Sequence, residues 1–402
     1  MILRTQGWAS RGRIKARALL LGGFVATLAL IAAGCGGDDS SSSASGTTTG
    51  ASSSGKPCNA SIGVLTVLTG AAGPQGREML HWAQLAVDQF NQANGTDIKV
   101  VEGDDQLDPA QAATVAQEWA SNPKIVAVVG PESDSTVDSA GPILGKAGLA
   151  MVSSTATSSR LTDGKYPTFY RVIPPDSLQG SQDAQYMIDT LKVKKVFVID
   201  DQSAYSKGIA DVVVPKLKDA GVDVSTDSVS QNNTDYSALV SKVSDDTDVV
   251  FLPWMLAANA QLFGDQMSEQ GKKAAIFGSD GVFSPQDFHV NGSYLSTFSP
   301  DIQSDPKYAD LVKEFEDKYG QFGAFGLTTY PATQVVLDAV KKACDDGDST
   351  PDIDAVAENV KNTNIQDSVL GQPIEFESNG EMKNAKFYVY TIKNGKYVIA
   401  PS

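Results

Sequence analysis

Twice along this chain, short runs rich in Val, Ile, Leu and Phe alternate with longer stretches whose apolar residues recur at helical spacing, and few folds satisfy that rhythm. ASIGVLTVLTG (60–70), DIKVVEGDD (97–105), KIVAVVG (124–130) and AMVSST (150–155) are strand-like. Between the first two, REMLHWAQLAVDQF places Met79, Trp82, Ala86 and Phe90 on one helical face. Asp108 followed by Pro109 predicts a helix cap and first turn, with Ala113, Ala116 and Trp119 facing inward. After a break at YPTFYRVIPPDSLQG the pattern restarts with KKVFVID (194–200), SKGIADVVVPKLKDAG, VDVSTDSVS, a short helix around Leu239 to Val243, DVVFLPW (248–254), AANAQLFGDQMSEQG and KAAIFGSDG (272–281). Strands linked by crossover helices pair in parallel and need helices on both faces, so the expectation is α/β, two doubly wound parallel-sheet lobes. From about Pro300 the chain adds an amphipathic helix carrying Tyr308, Leu311, Phe315 and Tyr319, another from Pro331 to Cys344, and the strand-like FYVYTI (387–392).

The amino-terminal segment bears on where the protein works. Arg4, Arg11, Arg13, Lys15 and Arg17 precede a run from Ala18 to Ala33 that is wholly apolar, glycine or threonine, too short to span a bilayer comfortably and ending in small residues. That is the pattern of an export signal, not a membrane helix. The ending LIAAGC, Leu30 to Cys35, resembles the lipobox of bacterial lipoproteins, with Ala32 where leucine is usual. The resemblance implies cleavage before Cys35 and lipidation of its thiol; an ordinary secretory signal with an idle cysteine is the other reading. Residues 1–34 are thus expected to be a lipoprotein signal peptide. Residues 35–57, nearly all Gly, Ser, Thr and Ala after the opening GCGGDD, have a composition that cannot repay its own ordering and are expected to be a disordered tether. The expected location is outside the cytoplasm, held by lipid on the outer face of the cytoplasmic membrane or in the periplasm.

The whole chain holds 32 Lys+Arg against 48 Asp+Glu, and losing the five basic residues of the signal leaves 27 against 48, a balance of −21. A surface of that sign repels phosphate backbones and anionic headgroups, which argues against nucleic acid and leaves the acyl chain as the only membrane contact. With Cys35 lipidated, Cys58 and Cys344 remain, and an exported protein most economically pairs them; two buried free thiols or a metal site are the alternatives. Enzyme patterns are lacking. His81 and His289 stand far apart without HExxH, no GxSxG, GxxxxGK[ST] or CxxC occurs, and the acidic clusters at 104–105, 245–246 and 345–348 do not have EF-hand spacing. The expectation is no enzyme, no cofactor and no metal.

The chain resembles the type I periplasmic binding proteins, and within them the leucine/isoleucine/valine-binding family of ABC importers. The resemblance is carried by GVLTVLTGAAGPQG (63–76), DDQLDPAQA (104–112), VVGPESDST (128–136), GLAMVSSTATSSRLT (148–162), VIDDQSAYSKGIA (198–210), FGSDGVF (277–283) and LTTYPATQVVLDA (327–339). It implies two lobes crossed three times by the chain through a three-strand hinge, with 58–175 and 300–385 in lobe I and 176–299 and 386–402 in lobe II. A small ligand clamped between them would draw the lobes together.

Several site residues follow from the resemblance. Thr155 would offer its backbone carbonyl to a ligand ammonium, and Thr157 a hydroxyl and an amide N–H, with Ala156 between them. Tyr205 would stand in the cleft of the second lobe and Asp280 would pair the ammonium, although Asp-Gly is also a common turn dipeptide. Where a serine often holds the ligand carboxylate this chain has Asp134, between Ser133 and Ser135. Either Ser133 or Ser135 turns to the ligand while Asp134 caps the next helix, or the ligand lacks a carboxylate. Gln75 replaces an aromatic residue near the mouth, and Trp254 and Leu256 line a side-chain pocket or form the core end of a strand. The resemblance implies a monomeric, lipid-anchored solute-binding protein handing a small polar ligand, an apolar amino acid above all, to ABC permease subunits. The alternatives are a ligand-sensing receptor acting on a partner protein, or a binder of an amide or amine without a carboxylate.

Overall fold

The computed structural model describes residues 58–401 apart from 71, 324, 347 and 348. The expected signal, Cys35 lipidation and tether lie outside the described residues. β1 (Ser61–Thr66), α1 (Gly73–Asn94), β2 (Lys99–Asp104), α2 (Pro109–Ala120), β3 (Ile125–Val129), α3 (Asp134–Lys146), β4 (Ala150–Ser153) and β5 (Phe169–Arg171) build the first lobe around a parallel sheet of order β2-β1-β3-β4-β5. β5 falls inside the stretch expected to be a break, because three residues between prolines carry little periodic signal. Asp108 caps α2 as expected, accepting the amides of Ala110 and Gln111. The buried face of α2 is Ala112, Ala116 and Trp119, with Ala113 only half-buried. Trp119 lies flat on the sheet where two strands have no side chain: a Cβ at Gly63 or Gly103 would meet its indole at 2.4 or 2.7 Å.

After the crossover, α4 (Asp176–Asp189), β6 (Lys195–Asp200), α5 (Ala204–Asp219), β7 (Asp223–Ser228), α6 (Ser237–Val240), β8 (Val249–Leu252), α7 (Ala257–Glu269), β9 (Ala275–Gly278) and β10 (Tyr294–Thr297) form the second lobe. Period-two alternation sorts its strands between two cores: Phe197, Ile199, Val250 and Leu252 face one side, Val196, Val198, Val249 and Phe251 the other. The chain then returns to the first lobe with α8 (Ala309–Tyr319), α9 (Thr329–Asp345), α10 (Ile353–Lys361) and a small ladder of β11 (Asn364–Ile365) and β12 (Ile374–Glu375). α8 and α9 close the first core over Trp82, which stacks on Phe315 at 4.0 Å and meets Phe322 and Tyr330 edge-on. A disulfide joins Cys58, just before β1, to Cys344 of α9, with Cα atoms 5.7 Å apart.

The chain re-enters the second lobe as a hairpin of β13 (Tyr388–Lys393) and β14 (Lys396–Ile399), pairing antiparallel to β10, so that sheet runs β14-β13-β10-β9-β8-β6-β7. The tight turn is Asn394-Gly395, both at positive φ (52° and 73°), which is the backbone that a two-residue hairpin needs. Among the described residues the chain therefore passes between the lobes three times, after β5, after β10 and before β13. No helix among them is long and apolar enough to cross a membrane.

Candidate functional site

Strand order reverses between β1 and β3 in one sheet and between β6 and β8 in the other, so loops at the carboxyl ends of the strands diverge and leave a crevice in each lobe. In the second lobe Tyr205 enters from the first turn of α5, where Ser203 caps the helix by accepting the Ser206 amide. Its hydroxyl donates to Asp280 Oδ1 at 2.6 Å, stands 2.7 Å from Ser279 Oγ and accepts the Gly281 amide at 3.3 Å. Asp280 follows β9 in a single 3-10 turn and is 4% exposed, so its carboxyl is directed inward onto Tyr205, not out into solvent as in a surface turn. Burial pushes that carboxyl up to about 6, against the pull of the Tyr205 hydroxyl and the Gln179 amide.

The first-lobe half is the loop after β4, and a residue not anticipated from the sequence organises it. Glu132, buried after Gly130-Pro131, accepts the Ser154 amide at 2.9 Å and stands 2.9 Å from Thr155 Oγ1 and 3.2 Å from Ser153 Oγ, all through Oε2. Its Oε1 has no partner, and burial raises its pKa to about 7. Thr155 Oγ1 also lies 2.7 Å from the Glu132 carbonyl, so that hydroxyl is committed within the loop. Thr157 is buried, and its carbonyl accepts the Asp176 amide at 2.9 Å across the start of the crossover.

The geometry corrects several expectations. Ser133, with the extended backbone of an N-cap (φ −129°, ψ 153°), caps α3 in a reciprocal pair with Thr136, so Asp134 is not the cap. Asp134 instead lies in the first turn and accepts the Ser158 amide at 3.0 Å, aiming its carboxyl at the loop that carries Thr155 and Thr157. Burial raises its pKa, while the Ser158 amide, Arg160 and Arg171 pull it down. Ser135 is exposed with its hydroxyl 3.3 Å from that of Ser133. Ala156 is fully engaged inside the protein: its amide donates to Ser153 Oγ at 3.1 Å and its carbonyl accepts Arg171 Nη1 at 3.0 Å, so it shapes the loop and does not offer a ligand contact. Trp254 is a core residue, not a pocket wall. It is 1% exposed, packs on Tyr236 and Phe263, and donates its indole N–H to the Ile199 carbonyl at 2.7 Å. Leu256 is exposed at the cap of α7, and Gln75 is exposed in the first turn of α1.

Beyond Glu132, the site contains Arg171, Asp176, Gln179 and Asp183, none of them anticipated. Arg171, wholly buried, forks onto the carboxylate of Glu381 and also donates to the carbonyls of Ala156 and Ser158. Asp176, Gln179 and Asp183 lie on one face of α4 at i, i+3, i+7 spacing, a signal that PPDSLQGSQDAQ held but that its two prolines obscured. Burial, then the charge of Asp134, raises Asp176 to about 8, and burial holds Asp183 well above the usual carboxylate range. Ser296 of β10 links the inner two, standing 2.9 Å from Gln179 Nε2 and 3.0 Å from Asp183 Oδ2. A separate cavity of about 470 Å³, lined in part by Gln286, Asp301, Gln303 and Tyr390, holds none of the residues expected from the sequence.

The family model for periplasmic binding proteins matches residues 60–396. The chain is 29% identical over 342 residues to the Leu/Ile/Val-binding protein homolog 1 of Brucella suis biovar 1, covering 83% of this chain and 90% of that protein. It is 30% identical over 351 residues to an amino acid binding protein of Pseudomonas aeruginosa, covering 84% of this chain and 91% of the other. Among solved structures, the leucine binding protein LivK of Thermotoga maritima superposes with a TM-score of 0.74 at 23% identity, covering 85% of this chain and 98% of that one. The branched-chain amino acid transporter substrate binding protein LivJ of Streptococcus pneumoniae, in complex with isoleucine, gives a TM-score of 0.74 at 26% identity, covering 84% and 97%.

Proposed function

Because the chain belongs to the periplasmic binding proteins, of the type I, Leu/Ile/Val-binding kind, we propose that it captures a small amino-bearing solute between its lobes and presents the closed form to an ABC permease. Lipid on Cys35 would keep the receptor at the membrane, with residues 35–57 as its tether. The observation that carries the reading is the buried Tyr205–Asp280 pair at the end of the second lobe's strands. An ionised carboxyl kept from water, with its hydrogen bonds only partly filled, gains most from a cation that donates to it. Opposite it, the Thr157 loop and the first turns of α3 and α4 would supply polar groups from the other side of the crevice. A ligand touching both halves binds the closed arrangement better than the open one and shifts the population toward it. Amino acids are the favoured solute class on the strength of the relatives.

A thermal-shift screen of amino acids, amides and amines tests this, since ligand at 100 times its Kd stabilises by about 2.7 kcal/mol. Asp280→Ala should weaken the best ligand by roughly ten-fold or more, the worth of a charge-assisted bond at about 1.5–3 kcal/mol. An unchanged Kd in that variant would remove Asp280 from the site.

A further inference from the structure

The crevice carries more carboxyl groups than one ammonium can answer. Asp134 and Asp176 flank one loop, Asp134 Oδ1 accepting the Ser158 amide at 3.0 Å and the Asp176 amide donating to the Thr157 carbonyl at 2.9 Å, and the charges of Asp134 and of Asp280, from the second lobe, both raise Asp176. The buried cation nearest them, Arg171, is already forked onto Glu381, and Arg160 is paired with Asp138. A row of buried acceptors adds to this: Asp176 Oδ1, Gln179 Oε1 and Asp183 Oδ1, on one face of α4, all lack a hydrogen-bond partner. Asp176 is 4% exposed, its amide donates to the Thr157 carbonyl of the first-lobe loop, and its Oδ2 would stand 3.6 Å from a Cβ at Gly208 of α5, the helix that carries Tyr205, so its carboxyl lies where the two halves meet. Among the described residues no group of three or more His, Cys, Asp or Glu could hold a metal ion. The positions where a ligand carboxylate would gain from helix N-termini, the first turns of α3 and α4, already hold the protein's own carboxylates, Asp134 and Asp176.

We propose that the crevice selects a small organic dication: one protonated nitrogen taken by Asp280 and Tyr205, a second shared by Asp134 and Asp176. This rests on the crevice being the ligand site, as above, and narrows the solute class. The shared chemistry is two cationic nitrogens a few bonds apart, which either a diamine or a basic amino acid supplies. The occupied helix N-termini favour the diamine.

Calorimetric titration of the purified protein with putrescine, agmatine, lysine, arginine, leucine and isoleucine decides the matter. The expected result is that the best dication binds at least about ten-fold tighter than leucine or isoleucine, the worth of one added charge-assisted bond. Asp134→Asn and Asp176→Asn should each remove most of that advantage, read as the ratio of dication to leucine affinity in the same variant. Putrescine or agmatine ahead of lysine and arginine assigns the site to carboxylate-free amines; the reverse assigns it to basic amino acids. Leucine or isoleucine binding as tightly as every dication overturns the inference and leaves the amino-acid receptor standing, whereas no binding by either series overturns both. If a variant fails to fold, salt titration of the unsubstituted protein still decides: dication affinity should fall more steeply with ionic strength than leucine affinity, and equal slopes overturn the inference.

Discussion

Tyr205 and Asp280 were legible as separate letters, 75 positions apart, and their hydrogen bond depends on loops that only the folded sheet brings together. Glu132, Asp176 and Asp183 were not legible, because a carboxyl in a polar-looking loop carries no sign in the sequence that it will be buried. Their burial has a measurable consequence. Glu132, Asp176 and Asp280 are raised to about 7, 8 and 6, chiefly by loss of solvent, whereas in the unfolded chain they titrate near 4. Between those values the folded protein holds protons that the unfolded chain has released, so stability is greatest at the acid end of the window and falls as pH rises from about 4 to about 8. The ligand-free Tm should therefore drop between pH 5 and pH 8. Asp176→Asn, which keeps the shape and removes the charge, should flatten that slope and raise stability at pH 8 by about 1–3 kcal/mol, the cost of a buried group left unsatisfied. Differential scanning calorimetry across the range checks both, and a Tm that climbs with pH would refute the assignment.

At the scale of elements, periodicity carried furthest where strands are buried on both faces: β6 and β8 follow their apolar runs closely, since parallel strands under two layers of helix leave no polar side to blur the pattern. It failed at β5 and α4, which flank the first crossover, and at β10 and β14, where four residues and a hairpin turn are too brief for a period to show. Asn394-Gly395 was a readable turn signal for β14. The site depends on a further short element, the 3-10 turn after β9. Its Gly281 lies so close to the loop after β8 that an added Cβ would stand 2.3 Å from the Trp254 carbonyl. Since Trp254 is locked in the core, the turn must yield and take Asp280 off the Tyr205 hydroxyl. Gly281→Ala is expected to destabilise by about 1–3 kcal/mol, the usual cost of overpacking. It should also weaken ligand by roughly ten-fold, one charge-assisted bond. Melting and titration of one preparation would show both, and full affinity in a destabilised variant would separate the turn from binding.

Whole-molecule behaviour depends on how the lobes are tied. Three crossings are expected to restrain the lobes to a rotation about that bundle, because sliding or separation would stretch all three at once. The disulfide does not add a tie across them: Cys58 and Cys344 both belong to the first core. It closes a loop over a sequence separation of 286, and a bond of that kind commonly contributes about 2–4 kcal/mol through the unfolded state. Closure and disulfide should therefore be separable. Small-angle scattering of the protein with a saturating ligand from the screen should give a smaller radius of gyration than without it, since the proposed solute would bridge Asp280 and the loop that carries Thr157. After mild reduction the same contraction should persist while the Tm falls. The proposed dication site sharpens the expectation for the unliganded state, because carboxylates at Asp134 and Asp280, on opposite lobes, would disfavour closure until a cation neutralises them. Raising the ionic strength without ligand should then contract the molecule part of the way, through screening of that repulsion. Scattering curves that do not change with ligand or with salt would mean that the lobes do not move, and capture by closure would have to be abandoned.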